Sequence, residues 1–587
     1  MTAASSLLRP TVFALALATA FPFAAGVPSA SAQSPPAGTY LDLLREAQER
    51  SQAQKWAEAA PLWERVVAIN PTVAWWWYEL GTAWSNASEH RKAIAAWEKA
   101  RELGAGSINI KPAYDVARSF AALGEKDSTL AWLQRALDDG FRSKERIRTE
   151  EAFKFLHEDA RFKKLADVKD TSKMSRVEGW RSDLSFLETE IKRMHYGPFR
   201  KVSQADFEEE GRRLRDDVAN LSDNQVIVRL MQWMSKIGDG HTGSFPDMVS
   251  TWRESVSLQF ECFDDGLFII SADPRHADLV GARVLKIGDH EVKRVFEAVD
   301  ATVSKDNAQG LLRNRVSFMR YPQFLNGLGL LPDAKRMPLT IQKDGGKERT
   351  VTVEADTKDT EFNRITGHPK WPTAYEAAPD PLPPYLKDRR KAFWFEQLPD
   401  TKTVYFQFNI VTDTPEETLS DFTNRLFTFI DEKKIEKLII DLRWNNGGNT
   451  KLLPPLLQSL IRSEAINRAG HLFIITSRYT YSAGMNAATY LERHTDAIFV
   501  GEPTPSSPNF VGESNLIELP YSHVRASISD LLWQSSWPTD RRTWIAPLLY
   551  APPSFEAFRA KRDPAMEAIR DYEKNESRME AAAEGKR

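Results

Sequence analysis

Two periodicities divide the chain. Over residues 40–166 apolar positions recur at helical spacing. The same spacing returns over residues 177–236, where Trp180, Leu184, Leu187 and Ile191 fall on one face. Within that second stretch Ser203-Gln204-Ala205-Asp206 and Ser222-Asp223-Asn224-Gln225 read as helix N-caps. The pattern then becomes alternating. Residues 256–270 read as a hairpin turning at Asp264-Asp265-Gly266, residues 282–292 as strand, tight turn and strand, and residues 338–353 as further strands around Lys343-Asp344-Gly345-Gly346. Residues 366–389 are rich in Pro and read as a linker or surface loop. Beyond them strands at 404–409, 437–442, 471–476 and 497–500 alternate with helices at 414–433, 452–461 and 482–493, which predicts an α/β core with parallel pairing.

The first helical stretch repeats itself. Ala59-Ala60-Pro61-Leu62-Trp63-Glu64-Arg65-Val66 is echoed by Ala93-Ile94-Ala95-Ala96-Trp97-Glu98-Lys99-Ala100 and by Thr129-Leu130-Ala131-Trp132-Leu133-Gln134-Arg135-Ala136. Tyr78-Glu79-Leu80-Gly81 and Phe120-Ala121-Ala122-Leu123-Gly124 precede the second and third copies. This resembles the tetratricopeptide repeat, in which small residues let paired helices approach and aromatic residues fill the gaps. The individual Trp residues read as repeat core. The array as a whole implies a concave face for a protein partner.

Composition narrows the function classes. With 587 residues the chain exceeds a single core. Lys and Arg total 78 against 81 Asp and Glu, so nothing points to nucleic acid. Cys262 stands alone, which excludes an intramolecular disulfide and a Cys-based metal site, and it reads as a small buried apolar residue. Residues 1–32 read as a signal peptide: Arg9 is the only charge, an apolar run follows, and Ala30-Ser31-Ala32 offers a cleavage site. No later segment is apolar enough to span a bilayer, so an exported, periplasmic or secreted protein with no stable membrane span after signal cleavage is expected.

Three segments carry candidate chemistry: Gly238-Asp239-Gly240-His241-Thr242, Asp441-Leu442-Arg443-Trp444-Asn445-Asn446-Gly447-Gly448-Asn449, and Thr480-Tyr481-Ser482-Ala483-Gly484 followed by Gly501-Glu502-Pro503-Thr504. Ser482 opens a helix after a buried strand, where unpaired N–H groups favour a developing oxyanion and the Ala483 N–H adjoins the hydroxyl. Gly447-Gly448 after another strand can turn a backbone N–H toward a substrate carbonyl. A loop imidazole such as His241 is the usual base for a serine near neutral pH. Alone, each has a structural reading: Ser482 a helix cap, the glycines a turn, His241 a loop residue. There is no Gly-x-Ser-x-Gly elbow, no His-Glu-x-x-His and no P-loop, and neither metal nor organic cofactor is expected.

In this order the segments resemble the tail-specific/tricorn serine peptidases, over about residues 177–567. The resemblance implies a multidomain fold: an all-α helical repeat module, then an α/β crotonase-like peptidase core with a PDZ-like β-rich domain. The expected layout is signal peptide 1–32, repeats 38–168, helical N-terminal part of the peptidase region 175–250, PDZ-like domain 255–355, Pro-rich connector 356–400, catalytic core 401–570 and polar tail 571–587. It implies Ser482 as nucleophile, with Gly447 or Gly448 and Ala483 as oxyanion-hole donors. The Lys base of many members would fall at a position that is Ser507 here. The tricorn-like alternative puts His241 in that role, with Asp540 as the late acidic group or, equally, a surface partner of Arg541 or Arg542. The activity implied is cleavage of peptides or protein tails. The alternative is an inactive peptidase-like scaffold that holds a protein or lipid partner in its cleft and repeats.

Overall fold

In a computed structural model, residues 37–105, 111–141, 143–166 and 171–584 are described. The expected leader, residues 1–32, lies outside them. The chain divides into two units, residues 1–141 with 151–165, and residues 142–150 with 166–587.

In the first unit the apolar spacing builds consecutive helices Ala37–Gln52, Trp56–Ile69, Ala74–Asn86, His90–Glu102, Pro112–Ala122 and Lys126–Asp138, each packed on the next. Ala59, Ala60, Trp63, Val66 and Val67 form the buried face of the second helix. Gly81 shows why small residues recur: a Cβ there would lie 2.4 Å from the Trp97 ring. Trp63 and Trp97 are buried, as repeat-core residues should be, whereas Trp132 is half-buried.

The second unit opens with helices Arg176–Met194, Gln204–Asp217 and Asp223–Ser235. Ser175 with Glu178 and Ser222 with Gln225 form capping boxes, and Ser203 accepts the N–H of Asp206. Trp180, Leu184, Leu187 and Ile191 are all buried. An antiparallel sheet follows, in the order Leu258–Phe263, Gly266–Ala272, Arg283–Ile287, Arg336–Gln342, Arg349–Glu354. Helices Val292–Asp300, Ala308–Phe318 and Pro322–Gly327, absent from the sequence reading, are inserted between its third and fourth strands. Cys262 lies buried in this sheet, where desolvation pushes its thiol up to about 12.

The second sheet has the order Leu549–Tyr550, Ile498–Gly501, Leu472–Thr476, Lys437–Asp441, Thr403–Phe408, Phe393–Gln397. All neighbours are parallel except the last pair. Its inner strands are buried on both faces, which explains their nearly continuous apolar runs. Phe406, Leu438, Ile440 and Ile474 join Phe422, Leu426 and Ile430 of helix Leu419–Lys433 in one cluster. Tyr405, Ile439, Phe473 and Ile475 join Ala565, Met566 and Ile569 of helix Pro564–Glu584 in another. The stretch expected to be only a Pro-rich connector supplies the edge strand Phe393–Gln397: no proline falls between Pro384 and Pro399, and the aromatic residues there pair with the next strand. A long hairpin, Asn509–Glu518 with Arg525–Gln534, stands apart from this sheet. Among the described residues no helix is long and apolar enough to cross a membrane.

Candidate active site

Parallel strands deliver their C-terminal loops to one edge of a sheet, where ligands bind in open α/β folds. The loops after Lys437–Asp441 and Leu472–Thr476 carry the glycine pair and Ser482. Asn445 knits them together. Its Nδ2 donates to the Phe408 carbonyl at 2.9 Å, its Oδ1 accepts the Gly447 N–H at 3.1 Å, and its carbonyl accepts the Tyr481 N–H at 2.8 Å. Thr480 Oγ1 donates to the Leu442 carbonyl at 2.8 Å and Ser477 Oγ to that of Arg443 at 2.6 Å. The Arg443 guanidinium forks onto Asp563 at 2.9 and 3.0 Å, and its Nε bonds Asp441 at 2.7 Å. The loop bases are thereby fixed by buried polar bonds.

Ser482 stands at φ 54°, ψ −121°, a backbone state that costs a non-glycine residue of order 1–3 kcal/mol. It precedes helix Ala483–His494, but its hydroxyl makes no capping bond, so the helix-cap reading fails. The Ala483 N–H, first in the helix, has no protein acceptor among the described residues. The Gly447 N–H is already committed to Asn445. That of Gly448 has no acceptor among the described residues, so of the two glycine N–H groups only this one is uncommitted. A Cβ on Gly447 would fall 2.8 Å from the Ser482 Cβ, so the glycine pair lies against the serine.

His241 is brought to the same place. Asp239 Oδ1 accepts the N–H groups of His241 at 2.9 Å and Thr242 at 2.6 Å. Asp239 Oδ2 lies 2.8 Å from His195 Nε2, and the His195 Nδ1 accepts from Gly197 N–H, so Nε2 is the donor. Burial would raise the Asp239 carboxyl, but the His195 hydrogen bond, the two neighbouring imidazoles and the Thr242 N–H together hold it below its usual value. The His241 carbonyl accepts the hydroxyls of Ser514 at 3.1 Å and Ser527 at 2.6 Å, anchoring the loop to the long hairpin. Its ring stacks on Tyr481 with centroids 4.3 Å apart and on Phe510 at 5.5 Å. Nδ1 lies 2.9 Å from the Tyr481 hydroxyl, and Nε2 is buried without a hydrogen-bond partner.

Ser482 and His241 are not hydrogen-bonded to each other in this structure; such bonds commonly tighten only when substrate arrives. Desolvation pushes the imidazole down to about 4, with Asp239 pulling against it and Arg313 reinforcing it. A base works only when neutral. The rate at which Ser482 is phosphonylated should therefore stay flat as pH falls through 6.5 and drop only near pH 4, measured as a pH profile of fluorophosphonate labelling. A midpoint near 6.5 would show a solvated imidazole instead.

Asp540 does not join the pair. Its carboxylate accepts from Arg542 and, at 2.7 Å, from the Ser536 hydroxyl, and Arg542 also grips Glu492 at 2.7 Å. The Arg542 hydrogen bond holds Asp540 well below the usual carboxylate range despite partial burial. Asp540 makes no hydrogen bond to His241, and the residue that bonds Nδ1 is Tyr481. Asp540→Asn is accordingly expected to change the labelling rate less than about twofold, because its bonds go to Ser536 and Arg542 and not to His241; a hundredfold loss would return Asp540 to the mechanism.

Comparison with known proteins adds backbone likenesses. Mature CPAF complexed with lactacystin is similar over 68% of this chain and 97% of its own, at 12% identity and a TM-score of 0.49. The photosystem II D1 C-terminal processing protease covers 66% of this chain and 98% of its own, at 11% identity and a TM-score of 0.32. One of these neighbours is by name a protease. The Yersinia enterocolitica type III secretion chaperone SycD, in complex with a peptide of the translocator YopD, covers 22% of this chain and 92% of its own, at 14% identity and a TM-score of 0.17. No family model matches the chain, and no curated protein does.

Proposed function

We propose that this chain is an exported serine-type peptidase of the tail-specific/tricorn kind, with a crotonase-like core around Ser482, a PDZ-like sheet at residues 258–354 and repeats that dock a protein partner. The observation that carries the reading is the strained Ser482, its hydroxyl unengaged, set against the free N–H groups of Ala483 and Gly448. Ser482 Oγ attacks a peptide carbonyl while His241 Nε2 takes its proton. The two N–H groups receive the oxyanion, the protonated imidazole gives its proton to the leaving amine, and water then releases the acyl group by the same steps in reverse order.

Tyr481 is the positioning residue. For Nε2 to accept a proton, Nδ1 must carry one, and the Tyr481 oxygen 2.9 Å away is its acceptor. Tyr481 is buried, and desolvation raises its pKa well above the ordinary value, so it remains a neutral phenol. Tyr481→Phe is expected to slow Ser482 acylation about tenfold, a fraction of the 10²–10⁴ supplied by general acid–base catalysis, and to alter the pH profile while KM stays constant. An unchanged profile would remove Tyr481 from the apparatus. The repeat unit offers a docking feature of its own: Trp75 is 43% exposed and stacks on Tyr78 at 5.6 Å. The deciding experiment is fluorophosphonate labelling of the mature protein beside its Ser482→Ala and His241→Ala variants. A folded wild type that does not label would leave the peptidase-like scaffold as the better reading.

A further inference from the structure

A cavity of about 740 Å³, its open mouth included, lies between the antiparallel sheet and the loops of the parallel one. Gln259, Glu261 and Phe263, at alternate positions of strand Leu258–Phe263, line one side. Ser477, Arg478 and Tyr479, on the segment that leads into Ser482, line another. Tyr385, Trp444 and Phe558 supply aromatic surface. Mostly apolar walls with a few converging polar groups are the make-up of a small-molecule site. Ser482, His241, Gly448 and Ala483 are not among these walls, so the cavity is distinct from the place where a peptide carbonyl would be attacked.

The polar part of the wall is short of one positive charge. Arg478 donates to Glu502 through Nε at 3.0 Å and through one terminal nitrogen, and its other terminal nitrogen donates to the Cys262 carbonyl at 2.9 Å. Glu261 is left 3.8 Å from that guanidinium. Its hydrogen bonds come from neutral groups, the Tyr479 hydroxyl at 2.6 Å and the Cys262 N–H at 3.1 Å. Arg443 is engaged by Asp441 and Asp563, and Arg389 has no carboxylate partner among the described residues. Four carboxylates, Glu261, Glu502, Asp441 and Asp563, thus face three guanidinium groups, Arg389, Arg443 and Arg478. Burial pushes the Glu261 carboxyl up, against the pull of Arg478 and of the Tyr479 hydrogen bond. Gln259 is 6% exposed, yet its side-chain amide has no hydrogen-bond partner among the described residues. A buried amide is costly to leave unpaired, and the cavity is where a partner for it can enter.

We propose that this cavity binds a small aryl-alkyl amine, its ammonium between Glu261 and Gln259 and its ring on the aromatic wall, and that the bound amine alters the reactivity of Ser482 through residues 477–479. Only the second half rests on the peptidase reading. An ammonium supplies the missing charge, donates to the Glu261 carboxylate and to the Gln259 carbonyl oxygen, and is attracted by the surrounding rings. An anion of the same size would meet Glu261 and Glu502, and a neutral analogue would leave the buried carboxylate without its counter-charge.

The test is calorimetric titration of the full-length wild type with phenethylamine, phenethyl alcohol and phenylpropionate. The amine is expected to bind about tenfold more tightly than the alcohol, the factor of one charge-assisted pair, and the carboxylate more weakly than either. Glu261→Gln, which keeps an acceptor for the Tyr479 hydroxyl, should remove the preference for the amine with its thermal melt unchanged. Gln259→Leu should weaken amine binding severalfold. No binding of the amine, equal binding of amine and alcohol, or a preference that survives Glu261→Gln overturns the site. Fluorophosphonate labelling is then followed with and without saturating phenethylamine. A rate that changes in the wild type and not in Glu261→Gln supports the action on Ser482; an unchanged rate overturns that action. Amine binding by a wild type that never labels would keep the site and remove the peptidase reading, and labelling without amine binding would do the opposite.

Discussion

Ser482→Ala is expected to abolish fluorophosphonate labelling and to lower peptide hydrolysis by on the order of 10⁶ in kcat, the loss seen when a serine nucleophile is removed from a group of residues that acts as a unit. The variant should fold. Ser482 makes no side-chain hydrogen bond that Ala would forfeit, and the bonds from Met485 and Asn486 to its carbonyl belong to the backbone. His241→Ala should remove most labelling as well, because the hydroxyl then lacks a base. Its fold is less secure, since the ring stacks on Tyr481 and Phe510. The pair is therefore read together with thermal melts: labelling lost in both variants with both melts unchanged establishes nucleophile and base. Labelling that persists in Ser482→Ala would place the reactive group elsewhere.

What the sequence made legible follows from how local its signals are. A strand buried on both faces is a nearly continuous apolar run, so the strand read at residues 437–442 appears as Lys437–Asp441, and that at 471–476 as Leu472–Thr476. The helix read over residues 482–493 appears as Ala483–His494. The repeats were legible because the same Trp and small residues recur at a nearly constant spacing, from Trp63 to Trp97 to Trp132. Long-range partners carry no such spacing. The bond from Tyr481 to His241 Nδ1 spans 240 residues, and nothing around Tyr481 distinguishes it from the aromatic Tyr479 nearby. Position alone suggested Asp540, but Arg542, two residues away, captures its carboxylate. The hairpin that holds the His241 loop and the helix that carries Arg313 were both missed. The hairpin's Asn509–Glu518 strand mixes buried and exposed residues without strict alternation, and the helix has a weakly sided pattern with a buried charge at its centre.

Gly448→Ala is the sharper test of how the oxyanion would be held. Gly448 sits at φ 128°, where an L side chain is strained, and a Cβ there would fall 2.1 Å from the Val411 carbonyl oxygen. Neither side can yield cheaply. The Val411 N–H donates to Gly447 O at 2.8 Å, and Val411 O accepts Asn449 N–H at 2.7 Å, so the two segments clamp the glycine from both directions. An alanine must therefore part these segments, and the Gly448 N–H turns with them, away from the position the oxyanion takes. Losing one such donor costs about 10²–10³ in kcat. KM should change little, because the N–H contributes most once charge develops on the oxygen. Gly447→Ala separates the two effects: its Cβ would press on Ser482 itself, 2.8 Å away, so labelling with fluorophosphonate should fall through displacement of the nucleophile. A Gly448→Ala protein with normal kcat would show that the Ala483 N–H suffices, and that the glycine pair is there only to let the loop pass Val411.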